Sequence, residues 1–228
     1  MIGTIVNTAT ILTGSIVGSR INKGIKPEHQ EVMFNAMGLA AFGLGVNSVV
    51  QNMPNSAYPV LFIASLAIGS LIGEILDIDG HFKRLTNRFS GGNSLAQGLS
   101  TGILLFCVGT LSILGPIQSA LYGDNTYLFT NATLDLISST VLASTYGIGM
   151  CAAAAVLFCW QGAIYLGAGF LAPFLSQDLL TEISIIGGFL IASSGLSILN
   201  IKQFKTMNML PCLLVPVAWF LIKGLFGF

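Results

Sequence analysis

The stretch from Phe106 to Gly149, FCVGTLSILGPIQSALYGDNTYLFTNATLDLISSTVLASTYGIG, decides the fold of this chain. It is apolar enough to lie in lipid, yet it holds one carboxylate, Asp135, and a series of hydroxyl and amide side chains. Polar side chains at membrane depth are costly, so they usually line a cavity or a pathway. Two sites in the stretch are expected to break a helix, Gly115–Pro116 and the pair Gly147 and Gly149.

The composition of the whole chain is that of an integral membrane protein. Of its 228 residues, 54% are hydrophobic and only 8% are charged, which is far outside the usual range of soluble domains. A helical span needs about 20 residues, so little of the chain is left for an extramembrane domain. The four cysteines lie in apolar runs with no CxxC pair and no histidine nearby. Neither a metal site nor a disulfide is therefore expected.

Apolar runs and the loops between them predict eight helical spans. The run from Leu128 to Leu171 is roughly twice as long as one span requires, so it is divided at Tyr146–Gly149. The predicted fold class is all-α, a polytopic transmembrane helical bundle that forms a single domain over residues 1–228. The spans cover about residues 3–18, 27–50, 60–76, 95–114, 128–146, 150–171, 181–199 and 210–228.

The positive charges predict the orientation of these spans. Eight of the nine lysines and arginines fall in three segments, residues 20–26, 83–88 and 202–205. With eight spans all three lie on one face, which the positive-inside rule makes cytoplasmic, so both termini are expected outside the cytoplasm. Lys223 is the exception, near the C-terminus, where its long side chain can reach the interface. A re-entrant fourth stretch would move residues 202–205 to the outside, so eight spans are preferred.

Two sets of three spans resemble each other. MGLAAFGLGVNSV, from Met37, is similar to GGFLIASSGLSIL, from Gly187, and the match aligns Gly38 with Gly188 and Gly45 with Gly195. Further matches at a similar offset place repeat one, about residues 3–79, opposite repeat two, about residues 155–228. Two central spans, within about residues 95–150, lie between them and invert the second copy. Inverted repeats of this kind recur among secondary transporters, where the substrate site lies between the copies.

Several long motifs resemble the DUF554 family of bacterial inner-membrane proteins. They are MIGTIVN at the start, IGSLIGEILDID, LLFCVGTLSILGPIQSALYGD, LFTNATLDLISSTVLASTYGIG and the later WQG. The resemblance covers essentially the whole chain. It implies a multi-pass protein of the bacterial inner membrane with a role in membrane transport, and it supplies no substrate, cofactor or catalytic residue.

Asp135 is the first candidate for a functional residue, because it is the only acid well inside an apolar run. A carboxylate there could bind a cation or carry a coupled proton; alternatively it caps a helix or reaches outward. Ser138, Ser139 and Thr145 follow at near-helical spacing and extend the polar stripe. Such hydroxyls often bond only to their own helix, which is the simpler explanation for them.

Amide side chains supply the remaining candidates. Gln118 follows the expected break, where freed backbone groups could coordinate an ion, or it marks a loop at the surface. Asn7 and Gln161 occupy matching places in the two repeats and could share one site, or join helices by hydrogen bonds. The candidate pathway residues are Asp135, Gln118, Thr110, Ser138, Ser139, Thr145, Asn7 and Gln161, with Gly115, Pro116, Gly147 and Gly149 as helix-break positions.

These features favour a secondary transporter or a channel-like permease for a small ion or polar metabolite. Enzyme activity is not expected, since the GLSTG motif at Gly98–Gly102 opens an apolar span and has no histidine partner. Asp178 and Glu182 are assigned to a helix start, where the helix dipole favours carboxylates. The expected partners are the lipid bilayer, the transported solute and a second copy of the chain, with no cofactor, metal or nucleic acid. The alternative is a non-transporting membrane scaffold or regulatory subunit.

Overall fold

The computed structural model describes residues 1–21, 25–81, 84, 102–103, 105–107, 110–171 and 176–226, and these residues contain helices but no strand. The all-helical class expected from the sequence is therefore confirmed. The main helices within these ranges are α1 (Ile2–Ser19), α2 (Pro27–Asn52), α3 (Leu61–Leu76), α4 (Thr110–Tyr122), α5 (Thr126–Tyr146), α6 (Ala152–Leu171), α7 (Gln177–Ile198) and α8 (Leu214–Phe226). Short helical turns lie at Met53–Asn55, Ile148–Cys151, Thr206–Met209 and Leu210–Leu213.

Seven helices within the described residues are long and apolar enough to cross a membrane. They are Ile2–Ser19, Pro27–Asn55, Leu61–His81, Leu105–Tyr122, Ile148–Gly169, Gln177–Ile198 and Thr206–Gly224. Helix α5 is not among them, although its 21 residues would be long enough, because hydroxyl and amide side chains lower its hydropathy. The start of the fourth predicted span and most of the preceding basic loop, including Lys83 and Arg88, lie outside the described residues, as does Lys23.

The chain divides into two compact units, and each is discontinuous in sequence. The first unit consists of residues 1–36 and 82–173, and the second of residues 37–81 and 174–228. Helices α1, α4, α5 and α6 belong to the first unit, while α3, α7, α8 and most of α2 belong to the second. Each unit therefore takes helices from both of the repeats predicted from the sequence.

In the first unit, α1 packs closely along α5 through a stripe of small residues. A Cβ atom at Gly3 would lie 2.6 Å from Leu128, one at Gly14 would lie 2.1 Å from Ser139 Oγ, and one at Gly18 would lie 2.2 Å from the Thr140 carbonyl oxygen. Glycine is therefore the residue that permits this close approach of two helix backbones. Because the residue numbers in contact rise together along both helices, α1 and α5 run parallel.

The expected helix break at Gly115–Pro116 is wrong. Pro116 lies inside α4, and the helix continues through it to Tyr122. A proline removes one backbone donor, but membrane helices tolerate it where neighbouring groups satisfy the freed carbonyl. Gly115 has a packing role instead, since a Cβ atom there would lie 2.9 Å from Leu128 of α5.

The expected joint between the fifth and sixth spans is present. Helix α5 ends at Tyr146, and Gly147 follows with φ of 84° and ψ of −174°. This backbone conformation is essentially restricted to glycine. The turn Ile148–Cys151, which includes Gly149, then leads into α6. The long apolar run is therefore two helices because one glycine conformation ends the first.

In the second unit, α2 and α7 cross at paired glycines. A Cβ atom at Gly45 would lie 2.3 Å from Ala192 N and 2.5 Å from Gly188 O, and one at Gly195 would lie 2.8 Å from Gly38 O. Ser48 Oγ also donates to Ser184 O at 3.1 Å. The two helices run antiparallel, because the residue numbers in contact rise along α2 as they fall along α7.

Helix α3 packs on the segment that precedes α8. A Cβ atom at Gly73 would lie 1.8 Å from Asn208 O, and Asn208 Nδ2 donates to Glu74 Oε2 at 2.7 Å. Lys205 forms a salt bridge with Glu74. The hydrogen bond between these two side chains raises the pKa of the Lys205 ammonium above its usual value. Both side chains are more than half exposed, so solvent screens the pair and close backbone packing dominates this contact.

Candidate functional site

Asp135 lies at the centre of the buried face of α5. Asp135 is 4% exposed. Asn131, one helical turn earlier, donates from Nδ2 to Asp135 Oδ2 at 2.8 Å. The side chain of Asn7, on α1, faces the same carboxyl, although its buried Nδ2 atom completes no hydrogen bond. No lysine, arginine or histidine of the described residues pairs with Asp135. Within the described part of the chain, the carboxyl therefore faces two neutral amides and no compensating positive charge.

Further polar side chains continue this buried face in both directions. Ser138 is 2% exposed and Ser139 is fully buried, and Ser139 Oγ donates to Leu136 O within its own helix. At the start of α5, Asn125 Oδ1 accepts a hydrogen bond from Ser119 Oγ of α4 at 2.8 Å. The buried polar residues of α1 are Thr4, Asn7 and Ser15. We call the set Ser119, Asn125, Asn131, Asp135, Ser138, Ser139, Asn7 and Ser15 the polar row.

Gln161 lies on a different pair of helices from Asp135. It is fully buried on α6, and its Nε2 donates to Ser112 Oγ of α4 at 3.1 Å, while its Oε1 has no hydrogen-bond partner. Asn7, the residue that matches Gln161 in the predicted repeats, instead faces α5. The two amides thus have different partners, which favours the interpretation that Gln161 joins two helices.

The other candidates have less central positions. Thr145 is exposed, so it lies off the buried face that holds Ser138 and Ser139. Gln118 is partly buried on the continuous helix α4, because the break that was expected to create a site beside it does not occur. Thr110 begins α4, and its side chain lies outside the described part of the structure.

Comparison with known proteins places this arrangement in a family. A family model described as a protein of unknown function, DUF554, matches residues 2–221. The chain belongs to the DUF554 family. It is 56% identical over 227 residues to the "Uncharacterized membrane protein YdfK" of Bacillus subtilis (strain 168), an alignment that covers 100% of this chain and 99% of the relative.

A second relative of this DUF554 protein is less similar in sequence. The "Uncharacterized protein YqgA" of Escherichia coli (strain K12) is 27% identical over 237 residues, covering 96% of this chain and 99% of the relative. No solved structure matches the chain. The family match and the seven apolar helices agree that this DUF554 protein is a membrane protein.

The second unit of the DUF554 protein contains a buried carboxylate that sequence reasoning missed. Glu182 is 1% exposed. Its Oε1 accepts hydrogen bonds from Ser56 Oγ at 2.6 Å and from Tyr58 N at 3.1 Å, while its Oε2 is buried without a partner. The sequence pattern predicts that Glu182 lies at the start of a helix, where the helix dipole favours a carboxylate. A signal was available, since Glu182 lies five residues into an apolar helix, beyond the first turn.

Proposed function

We propose that this DUF554 protein is a secondary transporter or channel-like permease for a small ion or polar metabolite, with Asp135 binding the transported or coupling cation. The observation that carries the proposal is the isolation of Asp135. A buried ionised carboxylate without a positive partner is costly, so such a group either takes a proton or binds a cation. Ionisable residues of this kind inside membrane bundles mark ion pathways and proton relays.

The polar row supports a pathway along α1 and α5. From Asn125, which precedes the first residue of α5, to Ser139 the row advances 14 positions along the helix, or about 21 Å at 1.5 Å per residue. That length is roughly two thirds of the hydrocarbon thickness of a bilayer. Oxygen atoms along this face, including those of Asp135, would provide successive binding positions for a small cation or a proton.

The packing of the second unit supports an inverted repeat. Alignment of the repeats pairs Gly38 with Gly188 and Gly45 with Gly195. The contacts are crosswise, because Gly38 approaches Gly195 and Gly45 approaches Gly188. A twofold axis that exchanged the aligned glycines would convert one of these contacts into the other. Inverted repeats are a recurrent architecture of secondary transporters, so this pattern favours transport.

Flux measurements on purified protein in proteoliposomes test this proposal. Uptake or counterflow is measured across a panel of inorganic cations and small polar metabolites, with and without a proton gradient. Asp135→Asn is expected to reduce coupled flux to the level of empty liposomes, because it keeps the shape and removes the charge. Thr133→Ala is the matched control, since Thr133 is exposed on the same helix and bonds only to Phe129 O. Unchanged flux in Asp135→Asn would remove Asp135 from the mechanism.

One observation favours the alternative of a non-transporting scaffold or regulatory subunit. Gly14 of α1 packs so closely on α5 that a Cβ atom would lie 2.1 Å from Ser139 Oγ, which leaves no room for a solute at that level in this conformation. A transporter must separate these helices during its cycle, whereas a scaffold need not. A covalent cross-link between α1 and α5 that leaves Gly14 unchanged should therefore block flux in a transporter and leave a scaffold's partner binding intact.

A further inference from the structure

The two carboxylate oxygens of Glu182 differ in their hydrogen bonding. Its Oε1 atom is fully used, because Ser56 Oγ and Tyr58 N both donate to it. Its Oε2 atom lies beside it in the same buried environment with no donor. A buried charged oxygen without a hydrogen-bond partner costs more free energy than a neutral one. The site is therefore incomplete on the Oε2 side.

The charged groups in the described part of the chain do not complete the Glu182 site. Lys223, on α8, donates from Nζ to Tyr58 Oη at 2.6 Å and lies 5.3 Å from the centre of that ring. Lys205 is engaged with Glu74 near the far end of α3. Within the described residues, no lysine, arginine or histidine forms an ion pair with Glu182. Among the described residues, therefore, no side chain supplies a positive charge to Oε2, and a cation from solution could do so.

We propose that Glu182, together with Ser56, binds a small monovalent cation through the free Oε2 atom of Glu182. One carboxylate balances one positive charge, and hard cations of this class prefer carboxylate, hydroxyl and carbonyl oxygens. A divalent ion is disfavoured, because a single carboxylate leaves half of its charge unbalanced, and the described residues hold no cluster of three or more His, Cys, Asp or Glu side chains. Ser56 Oγ donates its hydrogen to Glu182 and accepts from Tyr58 N at 3.2 Å, so its remaining lone pair can turn to the ion.

This site goes beyond the proposed function, because it lies in the second unit and uses none of the polar row. An ion there would tie the irregular segment around Ser56, which joins α2 to α3, to the first turns of α7. Binding to the folded state alone raises stability with ligand concentration. Cation-dependent stability is therefore the direct readout, and it does not require that transport be detected.

The test uses the purified full-length protein in detergent. The unfolding temperature is followed by tryptophan fluorescence in lithium, sodium or potassium chloride, with choline chloride holding ionic strength constant. At least one alkali cation should raise the unfolding temperature by a few degrees in a saturable way. All variants are compared in an Asp135→Asn background, so that a cation at the proposed transport site does not contribute to the shift. In that background Glu182→Gln should lose the shift, and Thr133→Ala should retain it. An equal response to choline, or a full shift in Glu182→Gln, would overturn the proposal, as would the absence of any shift in the Asp135→Asn background.

A second variant protects the test against a Glu182→Gln protein that does not fold. Ser56→Ala removes one oxygen ligand and leaves the carboxylate, so the half-saturating concentration of the active cation should rise severalfold. Asn55→Ala is its matched control, because Asn55 is the exposed neighbour and bonds only to Gln51 O. An unchanged half-saturating concentration in Ser56→Ala would overturn the role of the hydroxyl. Because the shift is read in the absence of the Asp135 carboxylate and without any flux measurement, failure here and failure of the transport proposal give different results.

Discussion

The hydrogen bond from Asn131 to Asp135 is the contact that most directly stabilises the buried carboxyl of the first unit. Asn131→Ala should lower the unfolding free energy by about 1–3 kcal/mol, because it leaves a buried acceptor unsatisfied. Thr133→Ala should change it by less than about 0.5 kcal/mol, as surface substitutions usually do. Chemical unfolding in mixed micelles measures both variants. Equal stabilities would mean that the amide contributes nothing to holding Asp135.

The two buried carboxylates differ in how visible they are in the sequence. Asp135 stands alone within an apolar run, so its burial could be predicted from its neighbours. Glu182 follows Asp178 near a helix start, and the sequence suggests a solvated end. Its burial depends on Ser56 and Tyr58, more than 120 positions away. Local pattern cannot predict such a contact, because which loop covers a helix end is decided by tertiary packing.

The hydroxyl side chains of α5 also show that local sequence pattern does not fix which side chains are buried. Ser138, Ser139 and Thr145 were predicted to share a stripe, but Thr145 is exposed. Residues at near-helical spacing can still lie on different faces of the helix. The direction of the buried face is set by where α1 packs, and the glycines of α1 determine that.

At the scale of helices, the glycine crossing of α2 and α7 offers a test with a matched control. Gly45→Ala should destabilise the protein by about 1–3 kcal/mol, because the new methyl group overlaps backbone atoms of α7 that cannot turn away. Gly43→Ala, on the same helix, should be neutral or slightly stabilising, since no atom lies within 4 Å of its Cβ position. Unfolding temperatures of the two variants compare them. Equal values would show that the crossing is looser than these contacts indicate.

Helices α4 and α5 of the first unit show why one expected break is present and the other is not. Gly147 adopts a conformation that a side chain disfavours, so the α5 helix ends there whatever surrounds it. Pro116 removes only one hydrogen bond, and its helix survives because α5 and α6 pack against it. Backbone conformation at Gly147 could be predicted locally, whereas the outcome at Pro116 depended on neighbours far away in sequence.

For the whole molecule, composition was sufficient to predict an all-helical membrane protein. The division into two discontinuous units was not predicted, because it depends on which helices pair. The first unit combines α1 and α6 with the central helices, and the second combines the remaining helices of both repeats. An alignment of repeats relates equivalent helices, but it does not say which of them are in contact.

The orientation of the chain in the membrane can be tested within the second unit alone. Ser56 bonds to Glu182 near the start of α7, and Gln203 bonds to Ser197 near its end. The 22 residues of α7 span about 33 Å, enough to cross the hydrocarbon layer. In a cysteine-free background, Asn55→Cys should therefore react with a membrane-impermeant maleimide on intact cells. Gln203→Cys, beside Lys202 and Lys205, should react only after permeabilisation, because the positive-inside rule makes that end cytoplasmic. The reverse pattern would invert the topology, and labelling of both on intact cells would mean that α7 does not span.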